Sequence, residues 1–307
     1  VDRYDDSDAI FTAGSAFVKS SFEGSRRRVS LARRSSTSTT DVNRASRRSL
    51  ALRRSTEFFR RSVEITPTPL SVPRADDPVS IVCAAAAKAL GPQFPEAKLV
   101  AQIGEDVTMD AFALPGGVTG NRPLAVTAMI ILTKHNLIHT LRLDEHKMVR
   151  WLIAVEDGYT DAPYHNAIHA ADVLSRLVAL LKVEQLVQDE TLGSKCYLLA
   201  CVMAAVIHDY GHPGLDNKFQ VDSDTEMSRR FNQKTVLENY SMFQCLEMLR
   251  QRPMDAFADS RVKKQSLISL VIKMVFATDM ADHFLIVSDF SAKVPLPYLF
   301  PLSRIEY

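Results

Sequence analysis

The longest uninterrupted apolar run in the chain, residues 198–207, ends directly on His208 and Asp209. A helix that is apolar on every face must be surrounded by other elements. The rest of the domain is therefore expected to wrap this segment. The run is about half the roughly 20 residues that a bilayer span needs, so burial is expected inside protein. An imidazole and a carboxylate at the end of such a helix are costly to bury unpaired. A divalent cation removes that cost by making both groups ligands. His with carboxylate suits Zn²⁺ and also harder ions such as Mg²⁺ or Mn²⁺. A plain helix stop at Pro213-Gly214 is the competing account. It explains the stop and leaves the histidines and the aspartate unexplained.

Elsewhere the apolar pattern is helical and strand-like alternation is nearly absent. Helices are predicted over 79–90, 124–136, 143–157, 165–182, 191–208, 222–231, 233–250 and 261–279. Gly91-Pro92 closes the first of these. Residues 101–125 carry Gly104, Pro115, Gly116, Gly117, Gly120 and Pro123 and read mostly as connection. The expected fold class is all-α, a compact multi-helix domain.

Charge divides the chain. Lys and Arg number 37 against 36 Asp and Glu, for a net charge of +1. From position 19 to 62 there are thirteen basic residues and three acidic ones, a local charge of +10. Residues 1–78 are expected to be a disordered, basic Arg/Ser-rich arm with a Pro-rich linker, and 79–307 the helical domain. Leu50, Leu52, Phe58, Phe59 and Val63 among the arginines make a weak amphipathic stretch, a candidate contact with an anionic membrane surface or a partner. Ser30, Ser36 and Thr56 follow Arg-Arg pairs in the pattern of basophilic kinases. They are the candidate phosphorylation sites. Without interleaved aromatics or a fold, nucleic-acid binding is not expected of the arm.

Four cysteines with no short paired spacing argue against a disulfide framework or a Cys-type zinc site. A reducing, cytoplasmic setting is expected, at most peripheral to a membrane. The polar, acidic start is not a secretory signal. Because the first residue is Val, a piece of a longer product is expected.

Three further patches complete the chemistry. Tyr164-His165-Asn166-Ala167-Ile168-His169-Ala170-Ala171-Asp172-Val173 places two histidines four apart. On a helix they would share one face, either as metal ligands or as a ligand beside an acid–base group. Val236-Leu237-Glu238-Asn239 and Ala277-Thr278-Asp279-Met280 say little alone. Glu238 on a helix is ordinarily a solvated group. Taken in order with His208-Asp209-x-x-His212-Pro213-Gly214-x-x-Asn217-x-Phe219, the four patches resemble the class I cyclic nucleotide phosphodiesterases over about residues 101–290.

That resemblance implies the all-helical phosphodiesterase catalytic domain of the wider HD phosphohydrolase group. It implies hydrolysis of 3′,5′-cyclic nucleotides, cAMP or cGMP, to nucleoside 5′-monophosphates. His169, His208 and Asp209 resemble ligands of a tightly held Zn²⁺. Asp209 would bridge to a second metal, Mg²⁺ or Mn²⁺. His165 resembles the general acid on the leaving 3′ oxygen, and Tyr164 a residue at the phosphate end of the pocket. His212, Glu238 and Thr278 resemble groups that hold metal-bound water. Asn217 and Phe219 resemble supports for the turn after the metal helix.

The sequence also departs from the family. The family has a further Asp in a His-x-Ala-Asp-x-Ser-Asn-Pro segment well beyond Ala-Thr-Asp-Met. No such segment occurs between Asp279 and Tyr307, where Asp282 and Asp289 are the nearest acids. Tyr240-Ser241 and Phe231-Asn232-Gln233 stand where the family often has His-His and Tyr-Asn-Asp. The chain is therefore expected to carry only the N-terminal and central part of the catalytic domain. The other readings are a catalytically incomplete fragment acting in regulation or as a homodimer, and another HD-type phosphohydrolase.

Overall fold

The computed structural model describes residues 78–89, 97–114, 119, 121–184 and 190–293. The basic arm, its linker, Ser30, Ser36, Thr56 and the Gly91-Pro92 stop lie outside them. The described residues form twelve α-helices and no strand, in agreement with the all-α expectation. In chain order these are α1 (Pro78–Ala89), α2 (Ala97–Gln102), α3 (Pro123–Lys134), α4 (Leu137–Leu141), α5 (Glu145–Asp157) and α6 (Ala167–Val183). They continue as α7 (Leu192–Ile207), α8 (Asn217–Asp222), α9 (Glu226–Arg230), α10 (Val236–Met248), α11 (Lys264–Phe276) and α12 (His283–Lys293).

The apolar run becomes the last turns of α7, and every residue from 198 to 207 is buried. Helices α6 and α11 pack along it, with α4, α3, α5 and α10 closing the remaining sides. Each large aliphatic side chain buried there contributes roughly 1.5–3 kcal/mol. Helix α3 is equally apolar and packs between α1 and α6. Trp151 of α5 is fully buried, and its indole Nε1 donates to the Cys245 carbonyl of α10 at 2.9 Å. No helix among the described residues is long and apolar enough to cross a membrane.

Side-chain caps set the boundaries near the site. Asn166 accepts from the backbone N–H groups of Ile168 and His169 at 3.0 and 3.1 Å and so starts α6. His165 therefore precedes the helix. The sequence reading placed it on the same helical face as His169, and the Asn166 cap overturns that. The helix predicted over 222–231 shrinks to α9, Glu226–Arg230, and its first residue is instead the last of α8. Asp216 caps α8 and Thr225 caps α9, with Asp224 between them at φ 47°. Asn232, Gln233 and Thr235 adopt positive φ, which delays α10 to Val236. Helices α2, α4, α8 and α12 were not predicted. Helix α12 buries no side chain and exposes Phe284, Leu285 and Phe290.

Candidate metal centre and active site

Helix α7 delivers His208 as its C-cap, and Asp209 opens the turn that follows. His169 comes from the first turn of α6. The two histidines and the aspartate offer ligand atoms that all lie within 4.8 Å of one another. Asp209 Oδ2 is 3.3 Å from His169 Nε2 and 3.1 Å from His208 Nε2. Three groups from two packed helices thus converge on one point.

The donor set fits a divalent cation. His208 Nδ1 lies 2.9 Å from the Ala205 carbonyl oxygen, which can only accept. The proton therefore sits on Nδ1, and the Nε2 lone pair faces the carboxylate. Two lone pairs at that separation repel unless a proton or a cation lies between them. Charge balance points the same way. Burial alone would raise the Asp209 carboxyl, but hydrogen bonds from His169 and His208 and the neighbouring imidazoles hold it well below the usual range. Burial alone would lower His208, but Asp209 and the Ala205 carbonyl raise it. A metal would take over the role of that shared proton.

His165 stands beside this centre. Its ring stacks on that of His212 with centroids 3.8 Å apart and lies 5.8 Å from the His169 ring. Burial lowers its pKa, against the pull of the Asp209 charge. Burial and the adjacent His165 bring His212 down to about 4. His212 Nδ1 accepts from Gly214 N at 3.0 Å, which fixes the proton on Nε2. Gly214 closes this turn at φ 76°, a conformation suited to glycine. Tyr164 is exposed at the rim, its ring tilted over His169 with centroids 4.4 Å apart.

Glu238 is not the solvated residue that its helix pattern suggested. It is buried, and burial raises its pKa, with the charges of Asp279 and Asp209 adding to the effect. Asn217 holds it: Nδ2 donates to Glu238 Oε2 at 2.8 Å, while Oδ1 accepts from Leu237 N at 2.9 Å. One amide thus pins the start of α8 to the start of α10. Thr278 turns its hydroxyl back to the Val275 carbonyl at 2.7 Å. Its neighbour Asp279 is the buried group there, and it had no assigned role in the sequence reading. Of the alternative acids, Asp282 sits in the turn before α12 and Asp289 pairs with Lys293 on an exposed face of that helix.

Two supports escaped the sequence reading. Tyr159 and Thr160, in the strap between α5 and α6, donate to the carbonyls of Val206 and His212 at 2.9 and 2.7 Å. Only their position five and six residues before His165 could have suggested them.

Residues 164–297 match the family described as 3′5′-cyclic nucleotide phosphodiesterase. Over this segment the chain is similar to the class I cyclic nucleotide phosphodiesterase catalytic domain. Rat 3′,5′-cyclic-AMP phosphodiesterase 4C (Rattus norvegicus) is 34% identical over 179 residues, covering 58% of this chain and 33% of that protein. A Drosophila melanogaster 3′,5′-cyclic-AMP phosphodiesterase, isoform F, is 33% identical over 181 residues, covering 58% of this chain and 27% of that protein. The chain spans about a third or less of the length of these curated relatives. The phosphodiesterase domain of a RhoPDE fusion protein from the choanoflagellate Salpingoeca rosetta superposes with a TM-score of 0.55 at 27% identity. It covers 64% of this chain and 59% of that one. Every phosphodiesterase-like site residue described above, from Tyr164 to Asp279, lies inside the matched segment.

Proposed function

We propose that the protein hydrolyses 3′,5′-cyclic nucleotides to nucleoside 5′-monophosphates. The observation that carries this is the convergence of His169, His208 and Asp209 beside a further imidazole, His165, whose ring lies 5.8 Å from that of His169 and stacks on His212. The relatives' names favour cAMP over cGMP.

The three converging residues would hold Zn²⁺, and Asp209 would also serve a second ion, Mg²⁺ or Mn²⁺. Such cations neutralise the phosphodiester oxygens and lower the pKa of water from about 15.7 to about 7. The chain's own residues do the rest. His165 gives a proton to the departing 3′ oxygen, which would otherwise leave as an alkoxide. His212 stacks behind it and fixes its plane. Tyr164 covers the phosphate end of the mouth. Glu238, held by Asn217, places an acceptor for water near Asp209, and Thr278 lines the same side.

The wider organisation belongs to the same proposal. A basic arm over 1–78 precedes the helical domain over 79–307. Ser30, Ser36 and Thr56 serve as acceptors for a basophilic kinase in a cytoplasmic protein. The arm's charge allows contact with an anionic membrane surface, and the domain pairs as a homodimer.

The test is turnover of cAMP and cGMP with Mg²⁺ by the purified chain and its His165→Ala and His208→Ala variants. The proposal expects hydrolysis by the parent, loss in both variants, and loss of Zn²⁺ binding in His208→Ala alone. A folded, metal-loaded parent with no turnover would overturn it.

A further inference from the structure

Three consecutive residues of the strap after α5 meet the turn that carries Asp209. Gly158 lies so close to Tyr210 that an added Cβ would come within 2.0–2.4 Å of its Cε2, Cζ and hydroxyl oxygen. The Tyr159 hydroxyl donates to Val206 O, and its ring meets Tyr210 edge-on with centroids 6.3 Å apart. The Thr160 hydroxyl donates to His212 O at 2.7 Å. These contacts fall on positions 206, 210 and 212, on both sides of His208 and Asp209.

The chain direction explains why this matters. Tyr210 N bonds to Ile207 O at 3.1 Å, so α7 closes with a tightened turn and the Val206 carbonyl is left for a side chain. Beyond Asp209 the turn bonds to itself, through His212 N to Asp209 O at 3.1 Å and Gly214 N to His212 Nδ1. The Thr160 bond ties that self-contained turn to another segment. The same segment runs on, within five residues, to His165.

We propose that Thr160 is a positioning residue for the metal-binding turn. Acting through the His212 backbone, it sets where Asp209 stands relative to His169. The inference rests on the reading that His169, His208 and Asp209 hold a divalent cation. Groups that orient ligands in this way typically cost roughly 10- to 100-fold in metal affinity when removed.

The experiment measures Zn²⁺ affinity of the full chain by competition with a chromophoric chelator, alongside the thermal midpoint of the metal-free protein. Thr160→Val keeps the side-chain shape and deletes the hydroxyl, and Thr160→Ser restores it. The expected result is a Zn²⁺ affinity roughly 10- to 100-fold weaker in the Val variant, parental affinity in the Ser variant, and an unchanged metal-free midpoint in both. Thr160→Ala replaces the Val variant if the latter does not fold. Parental affinity without the hydroxyl, or a Ser variant as weak as Val, overturns the inference. So does an affinity loss that merely follows a lowered midpoint. His208→Ala separates the two levels. If it binds Zn²⁺ as the parent does, the site reading itself falls.

Discussion

His165 and His212 stack at 3.8 Å with their ring planes 23° apart, an arrangement that two imidazolium cations could not share. The burial that lowers both pKa values keeps the pair neutral at pH 7. His212, at about 4, sits below the ordinary value of 6.5. In the metal-free protein the unfolded chain then binds the proton more readily. Stability is fully present above about pH 6.5 and is lost as pH falls toward 4. The loss is on the order of 2 kcal/mol once partial exposure is allowed for. His212→Asn should flatten this dependence in urea unfolding curves collected between pH 4 and 7. An unaltered slope would refute it.

Glu156 works in the opposite direction. Its Oε1 accepts from Leu124 N at 2.8 Å at the start of α3, while Oε2 is buried with no hydrogen bond. Arg122 stands 3.9 Å away and also pairs with Asp157. Burial, only partly offset by the Leu124 bond and Arg122, brings the carboxyl up to about 7. The protonated form is favoured in the folded state. Its stability is therefore present below about pH 4.5 and lost as pH rises through 7, by on the order of 3 kcal/mol. Glu156→Gln keeps the Leu124 bond and removes the charge. It should be more stable than the parent at pH 8 and close to it at pH 4.5. Equal stability at pH 8 would count against the buried-charge account.

Metal and proton compete for the same centre. Because His208 is held above its ordinary value, acid should displace the cation before Asp209 itself titrates. Zn²⁺ affinity is expected to fall as pH drops below neutrality, with proton release on binding near pH 7. Calorimetry in buffers of different ionisation enthalpy measures that release, and a pH-independent affinity would exclude the three-residue centre. Removing the ion with a chelator should lower the melting point, since a ligand at 100 times its dissociation constant stabilises by about 2.7 kcal/mol.

Asn217 joins two helices through one side chain. Asn217→Ala leaves Glu238 Oε2 and Leu237 N without that partner. Each lost buried bond costs about 1–3 kcal/mol, so destabilisation in that range is expected. Asn217→Asp should be worse still, because it sets a carboxylate against Glu238. If Ala and Asp prove equal, the Glu238 contact contributes nothing.

Gly158 has an ordinary φ, so its requirement is for space. Gly158→Ala must push the Tyr210 ring aside, at about 1–3 kcal/mol for an overpacked site. Tyr210→Leu in the same chain should recover part of that loss. Failure of the double variant to recover would mean that the backbone, not the ring, resists the methyl.

How much of this was legible in the sequence depends on the distance over which the signal acts. The apolar run ending at His208 identified α7 and the metal turn, because burial on every face is written into composition. The short helices α4 and α8 were not legible, and the start of α9 was misplaced. Asn136, Asp224 and Gln233 adopt positive φ with no glycine to announce it. His165 was placed on α6 because spacing alone cannot show that Asn166 turns its side chain into the first helical amides. Glu238 read as solvated from its helix pattern alone, and only the resemblance placed it near the metal, because its surroundings come from α8 and the turn at Asp279, both remote in sequence. Thr160 and Tyr159 bond to backbone carbonyls, which carry no residue-type signature at the accepting end.

The chain's single tryptophan gives the fold an optical handle. Trp151 sits in the seam between α5 and α10, with its indole N–H committed to Cys245 O. Its emission should lie to the blue in the folded protein and shift red when the two helices part. Because α10 also begins at the Asn217–Glu238 contact, a probe in this seam senses separation of the body from the end that steadies the site. One fluorophore, native to the sequence, can thus follow loss of the scaffold while metal release is followed at another wavelength.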